Sequence, residues 1–349
     1  MDLSKYKDKG LTGLANLGNT CFLNSCIQVL NHIYELHEFL NSTGYKKYMK
    51  PHLIDCSIIN EWNDLRNVMW SQNGIVSPNK FVHNIHRIAT LKNRDIFTGW
   101  AQNDMPEFLL FLIECMHNSI SRSVKMNISG KSENNTDDLA LKCYGMLKDV
   151  YSKEYSEIMD LFYGIYVSQI VSLDGKVHST KPESFFILDL PIPTENTCNL
   201  YDCFNHFVLS EKLYGENAWH NENTKKYEDV NKIITFWNFP KILVITLKRF
   251  SPDGNRKQEN LITFPLESLQ LSAYVKGYNS HQYVYDLFGV CNHIGGVSGG
   301  HYTAFVKNST NNWLHYDDQN VSEVGSPAMA HIVTPMAYCL FYRKKNNLV

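Results

Sequence analysis

Apolar residues recur at helical spacing through roughly the first 160 positions and in short, turn-punctuated runs thereafter. Phe22, Cys26, Val29, Leu30 and Ile33 mark one face of a helix over 21–40, with Asn19 or Thr20 placed to cap its first turn. The same spacing predicts helices over 58–70, 78–91 and 104–118. Residues 127–138 are polar and turn-rich and read as a mobile surface loop, followed by a further helical segment over 139–160. From Phe162 onward, Val, Ile, Phe and Tyr dominate short runs broken by Gly, Pro and Asn, which is the pattern of strands. Helices first and strands afterwards predict an α+β layout, and no internal repeat is evident.

Chemistry concentrates at the two ends. Cys21 follows a polar, Gly-containing turn (Asn16-Leu17-Gly18-Asn19-Thr20) and opens the first helix. Unpaired amides and the macrodipole at a helix N-terminus favour thiolate over thiol, which makes a cysteine nucleophilic near neutral pH. Taken alone, such a cysteine is more often a buried small hydrophobe. Near the other end, Gly299-Gly300-His301-Tyr302-Thr303 introduces a strand and Trp313-Leu314-His315-Tyr316-Asp317-Asp318 forms another, joined by a polar turn over 308–312. Paired strands would set His301 beside Asp317, giving a base held in one tautomer by a carboxylate, and with Cys21 a Cys-His-Asp triad.

These segments resemble known ones. The 16–25 run is similar to the cysteine box of the ubiquitin-specific proteases, and 299–321 to their histidine box. Trp100-Ala101-Gln102-Asn103-Asp104-Met105-Pro106-Glu107-Phe108-Leu109 resembles the family's Gln-Asp-Ala-x-Glu-Phe-Leu segment, with Met105 where Ala is usual. Residues 239–250 resemble its central strand, 262–265 a following block, and 337–343 its closing strand. The blocks keep family order from about residue 10 to 345. The resemblance implies a papain-like fold with fingers, palm and thumb in one catalytic domain over 10–345: a helical thumb roughly over 10–160, then strand-rich fingers and palm over 161–345.

Composition agrees with a globular enzyme. The 349 residues are 44% hydrophobic and 13% aromatic, enough for a large core, and the formal net charge of -2 offers no basic field for nucleic acid. No apolar run spans a bilayer and no signal-peptide core opens the chain, so a cytoplasmic or nuclear protein without membrane insertion is expected. Nine scattered cysteines fit free thiols in a reducing compartment. Many members of the resembled family hold a structural zinc on two Cys-x-x-Cys pairs at the fingertips. Here the pairs would fall near 169–174 and at Asn221 and Thr224, and none of these is cysteine. Cys198, Cys203 and His206 lack a second pair at zinc spacing, so no metal and no cofactor are expected, and the fingers would be held by strand pairing and packing.

The resemblance implies that Cys21 attacks the scissile carbonyl, that His301 moves the proton, and that Asp317 orients His301, with Asp318 as the alternative orienter. Asn16 would donate to the oxyanion together with the Cys21 amide. The implied substrate is ubiquitin or a ubiquitinated protein, whose arginine-bearing tail ends in Gly-Gly. Asp104, and less directly Glu107, would line its channel, with Tyr302 and Gly300 beside it. Loops 251–260 and 293–300 resemble two gating loops over that tail. A monomer is expected. A protease for another ubiquitin-like modifier and a catalytically inactive ubiquitin-binding scaffold are the competing readings.

Overall fold

The computed structural model describes residues 2–42, 44–94, 96–99, 101–194, 197–297 and 299–345. Trp100, at the head of the Gln-Asp-Ala-like segment, and Ser298, in the second gating loop, lie outside them. The N-terminal part is helical: α1 (Cys21–Leu30), α2 (Tyr34–Asn41), α3 (Cys56–Ser71), α4 (Asn79–Leu91), α5 (Met105–Ile120), α6 (Asn135–Glu154) and α7 (Glu157–Phe162). Two differences from the sequence pattern have local causes. The helix expected over 21–40 breaks at Asn31 to Ile33 because distant groups take its carbonyls: His37 Nε2 lies 2.8 Å from the Asn31 oxygen, and Arg343 donates to that of His32 at 2.9 Å. The helix expected from 139 starts at Asn135 because Asn134 caps it, its Oδ1 accepting from the Thr136 and Asp137 amides. That shortens the expected loop.

Short strands β1 (Thr12–Leu14) and β2 (Gly74–Val76) pair in parallel beside α1. The fingers are a four-stranded sheet of β3 (Gly164–Ser172), β4 (Val177–Phe185), β6 (Glu211–Leu213) and β7 (Val230–Asn238), in the order β4-β3-β7-β6. The palm is an eight-stranded sheet. Its main path joins β5 (Ile187–Leu190), β8 (Ile242–Leu247), β9 (Val284–Gly296), β10 (Gly299–Lys307), β11 (Trp313–Asp317), β12 (Asn320–Glu323) and β13 (Ala337–Lys344) in the order β12-β11-β10-β9-β13-β8-β5. Every residue of β8 is buried, and its side chains alternate between two cores. Ile242 and Val244 join the helical side with Phe22, Leu109 and Phe162; Leu243, Ile245 and Leu247 join Phe204, Phe264 and Tyr342 on the other face. A strand covered on both faces favours apolar residues, hence the continuous Ile-Leu-Val-Ile run; its polar residue, Thr246, is buried with its hydroxyl donating to the Asp189 carboxylate. Helix α1 packs on β10, which places Cys21 over the strand that carries His301.

The fingertips correct the expectation of strand pairing and packing alone. A hairpin of Trp219–Asn221 and Lys226–Glu228 is closed around Glu228. Asn221 Nδ2 donates to both carboxylate oxygens at 3.1 Å and Thr224 Oγ1 donates at 2.6 Å. The positions where the second cysteine pair would stand thus chelate a carboxylate. His178, from β4, packs against Trp219 with its ring tilted by 31°. Among the described residues no helix is long and apolar enough to cross a membrane.

Candidate active site

Asn16 to Thr20 form a tight turn in which Asn16 Oδ1 accepts the Gly18 amide at 2.9 Å and the Thr20 amide at 3.3 Å, with Gly18 at φ +103°. Thr20 precedes α1 but does not cap it. Its hydroxyl turns back to accept from the Leu17 amide at 2.9 Å, so the expected Asn19 or Thr20 side-chain cap is not made at Thr20. Cys21 is the first helical residue and is buried, with the main-chain amide of Tyr302 facing its sulfur. Here the structure opposes the simple helix-terminus argument. Burial pushes the Cys21 thiol up, and the Asp318 charge acts in the same direction, against the amides of Tyr302, Phe22 and Cys21 itself. A thiol held up in this way gains from a base that takes its proton.

The candidate base lies on β10, the strand on which α1 packs. The β10–β11 hairpin, in register Ala304 opposite Tyr316, brings His301 Nε2 to 2.6 Å from Asp317 Oδ1. With Nε2 committed to the carboxylate, Nδ1 is the nitrogen left to exchange a proton. Asp318 does something different from Asp317. It sits at φ +50° in the turn into β12, and its carbonyl accepts the Leu14 amide at 2.9 Å. Its carboxylate bridges two asparagines, Oδ2 to Asn16 Nδ2 and Oδ1 to Asn24 Nδ2, both at 2.8 Å. The turn lies so close to β1 that a Cβ on Gly13 would stand 2.2 Å from the Gln319 carbonyl oxygen. Asn24 was absent from the sequence reading, although a buried polar residue one turn after Cys21 was a usable signal.

Two adjoining cavities run from the fingers to Tyr302, the residue after His301. One of about 600 Å³ is lined by Asp104, Glu107, Asp189, Lys248, Phe250 and Tyr338. The other, about 390 Å³, shares Asp104, Phe250 and Tyr338 with it and adds Gln102, His293 and Tyr302. Asp104 Oδ1 accepts from the Tyr302 hydroxyl at 3.0 Å. Burial pushes the Asp104 carboxyl up, while the hydroxyls of Tyr302 and Tyr338 draw it down. Gly300 pairs through both its amide (2.7 Å) and its carbonyl (2.9 Å) with the side chain of Gln102, which lines the second cavity together with Gly299. Asp189 and Tyr338 join the channel only through tertiary structure.

His301, Asp317 and Asp318 bring ligand atoms within 4.8 Å of one another, a spacing that could receive a cation, but the carboxylates are engaged with His301, Asn16 and Asn24. The ligand atoms of Cys198, Cys203 and His206 do not converge in this way.

The family model described as ubiquitin carboxyl-terminal hydrolase matches residues 12–342. The chain belongs to that family. It is 33% identical over 345 residues to ubiquitin carboxyl-terminal hydrolase Usp2 of Drosophila melanogaster, covering 97% of this chain and 35% of the fly protein. It is also 33% identical to human ubiquitin carboxyl-terminal hydrolase 2 (96% and 55% of the two chains) and 31% identical to human ubiquitin carboxyl-terminal hydrolase 21 (96% and 61%). The chain therefore spans between about a third and three-fifths of the length of these relatives. Among solved structures, the SAGA DUB module of Ubp8, Sgf11, Sus1 and Sgf73 bound to monoubiquitin shares its fold, with a TM-score of 0.73 at 24% identity over 99% of this chain and 72% of the other. The hydrolase family's α+β, papain-like architecture is thus that of this chain.

Proposed function

We propose that this family member is a deubiquitinating thiol protease that hydrolyses the peptide or isopeptide bond after the C-terminal glycine of ubiquitin. The observation that supports the reading is a buried helix-start cysteine facing the Tyr302 amide, on a helix packed against the strand that carries the His301–Asp317 pair, beside cavities lined by Asp104, Glu107 and Asp189.

In this reading each group has one role. His301 Nδ1 takes the Cys21 proton as the sulfur attacks the carbonyl carbon, and Asp317 stabilises the resulting imidazolium. The oxyanion receives N–H groups from Asn16 and the Cys21 main chain. His301 then gives the proton to the leaving amine as the C–N bond breaks, leaving a thioester. Water, deprotonated by His301, hydrolyses the thioester and restores the thiol. Every step uses protein groups, and no metal or cofactor enters. Asp104, with Glu107 nearby, faces the tail's arginines, and Tyr302 closes the channel beside the histidine. The reading includes a monomer acting in the cytoplasm or nucleus on ubiquitinated proteins, without nucleic acid.

Incubation with ubiquitin and with related modifiers bearing C-terminal electrophiles tests this. Covalent labelling of Cys21 by ubiquitin, absent in Cys21→Ala, is expected, with binding of ubiquitin by Cys21→Ala retained because affinity is spread over a large interface. Labelling by another modifier alone would transfer the chemistry to that substrate, and labelling by none would leave the scaffold reading.

A further inference from the structure

Among the described residues, neither edge of the hairpin tip that leads into the His301 strand is covered by a strand. On the β9 side, support from the neighbouring segment ends where the His293 amide donates to the Met336 carbonyl at 2.9 Å. On the β10 side, β11 pairs only from Ala304 onward. Gln102 takes the free β10 edge at Gly300. The free β9 edge is taken by Lys257, from the other loop. Its Nζ donates to the carbonyl of His293 at 2.9 Å and to that of Gly295 at 2.8 Å. Residues two apart in a strand point their carbonyls to the same side, so one ammonium reaches both.

The loop that supplies Lys257 is itself anchored. Arg249, fully buried, donates from Nε to the Ala337 carbonyl (2.7 Å) and from Nη1 to those of Gln258 and Asn260 (3.0 Å each). The Gln258 amide returns to the Arg249 carbonyl at 2.7 Å. The tip it holds needs holding, since Gly295 at φ +116° and Gly299 at φ +150° are backbone positions with large conformational freedom when released.

We propose that Lys257 is a positioning residue that ties the two loops across the channel, fixing the β9–β10 tip, and the strand bearing His301, in the shape that receives the extended tail of the substrate. The tied state is the receptive one. With both hydrogen bonds formed, the cavity of about 390 Å³ between Phe250, His293 and Tyr302 remains open, within the range of about 300–1,000 Å³ usual for ligand sites. The tie orders the loops before the substrate arrives, and its loss falls on binding more than on chemistry. The substrate in this inference rests on the deubiquitinase reading; the tie itself does not.

The test compares Lys257→Met and Lys257→Arg with the wild type. The substrates are ubiquitin with a C-terminal fluorogenic amide and a fluorogenic peptide of the tail alone, and hydrogen exchange is followed in the free proteins over 293–302. Lys257→Met is expected to raise KM about tenfold on both substrates with kcat changed less than about threefold, the scale of losing a part-exposed hydrogen bond to a charged group. Exchange over the tip should quicken, and Lys257→Arg should restore most of both readouts. Unchanged exchange in Lys257→Met overturns the tie. Unchanged KM, a loss in kcat alone, or an effect on ubiquitin but not on the tail peptide overturns its role in receiving the tail. If the wild type cleaves neither substrate, the deubiquitinase reading fails and exchange alone decides the tie.

Discussion

Asp318→Ala should slow turnover through Asn16 rather than through His301. The Asn16 side-chain carbonyl is occupied by the Gly18 and Thr20 amides, and one of its two N–H groups points at Asp318 Oδ2 at 2.8 Å. The second N–H is the donor available to an oxyanion, and its direction is fixed by the other three bonds. Removing an oxyanion donor costs on the order of 10²- to 10³-fold in kcat, about 3–4 kcal/mol. A hydrogen bond to a charged partner contributes about 1.5–3 kcal/mol, so releasing Asn16 should cost roughly 10- to 100-fold and no more than deleting its side chain. Asp317→Ala should be worse, of order 10⁴, because it frees the base itself. The assay is steady-state hydrolysis of a fluorogenic ubiquitin amide by Asn16→Ala, Asp318→Ala and the double variant, with thermal melting to confirm folding, since Asn24 also loses a partner. Acting as a unit, the two residues should give a double variant within about twofold of the slower single one. Multiplying losses would refute the route through Asn16, and Asp318→Ala slower than Asp317→Ala would reverse the ranking of the two carboxylates.

Three further outcomes follow from the same geometry. Because burial holds the Cys21 thiol above its ordinary value of 9.0 in the intact protein, its alkylation at neutral pH depends on a base that takes the proton, so His301→Ala should react with iodoacetamide more slowly than the wild type at neutral pH and approach it only at alkaline pH; superimposable pH profiles would show that His301 does not take the proton. Asp104→Ala should raise KM and remove about 2–5 kcal/mol of transition-state stabilisation if it pairs with a tail arginine, and substitution of that arginine by alanine should then be strongly non-additive with it; simple additivity would assign Asp104 to holding the Tyr302 and Tyr338 hydroxyls. At the fingertips, the Thr224 and Asn221 bonds hold the Glu228 carboxyl below its ordinary 4.5, so the contribution of these bonds is complete above that value and fades as pH falls through the lowered one; hydrogen-exchange protection factors over 219–228, taken relative to the intrinsic rate at each pH, should fall on acidification, and Glu228→Ala should show the low protection at neutral pH, whereas equal protection in the two proteins would mean the hairpin holds without its carboxylate.

Much of the site could be read locally because its geometry is local. A cysteine at the start of an apolar periodic run is placed at a helix N-terminus by period alone, and His301 and Asp317 meet through a hairpin whose five-residue polar turn, 308–312, sets the register. The α+β division followed from the change of apolar spacing near Phe162. The order of the blocks that resemble the family's tied the two ends to one architecture, and the family match over 12–342 agrees with it.

What tertiary structure decided involves groups whose partners are far away in the chain. Asp317 and Asp318 are neighbours with identical side chains. One faces His301 and the other Asn16 and Asn24 only because the second occupies a left-handed turn residue docked on β1 through Leu14. The thiol's resistance to ionisation depends on how deeply α1 is covered by β10, which no spacing encodes. Asp189 and Tyr338 reach the channel from strands that are neighbours of β8 in space and more than fifty residues from it in sequence. Lys257 looks like one more solvated lysine in a polar loop until the unpaired carbonyls of His293 and Gly295 are placed beside it. Periodicity specifies which face of an element is buried; hydrogen-bond partners and desolvation depend on what the rest of the chain brings to that face.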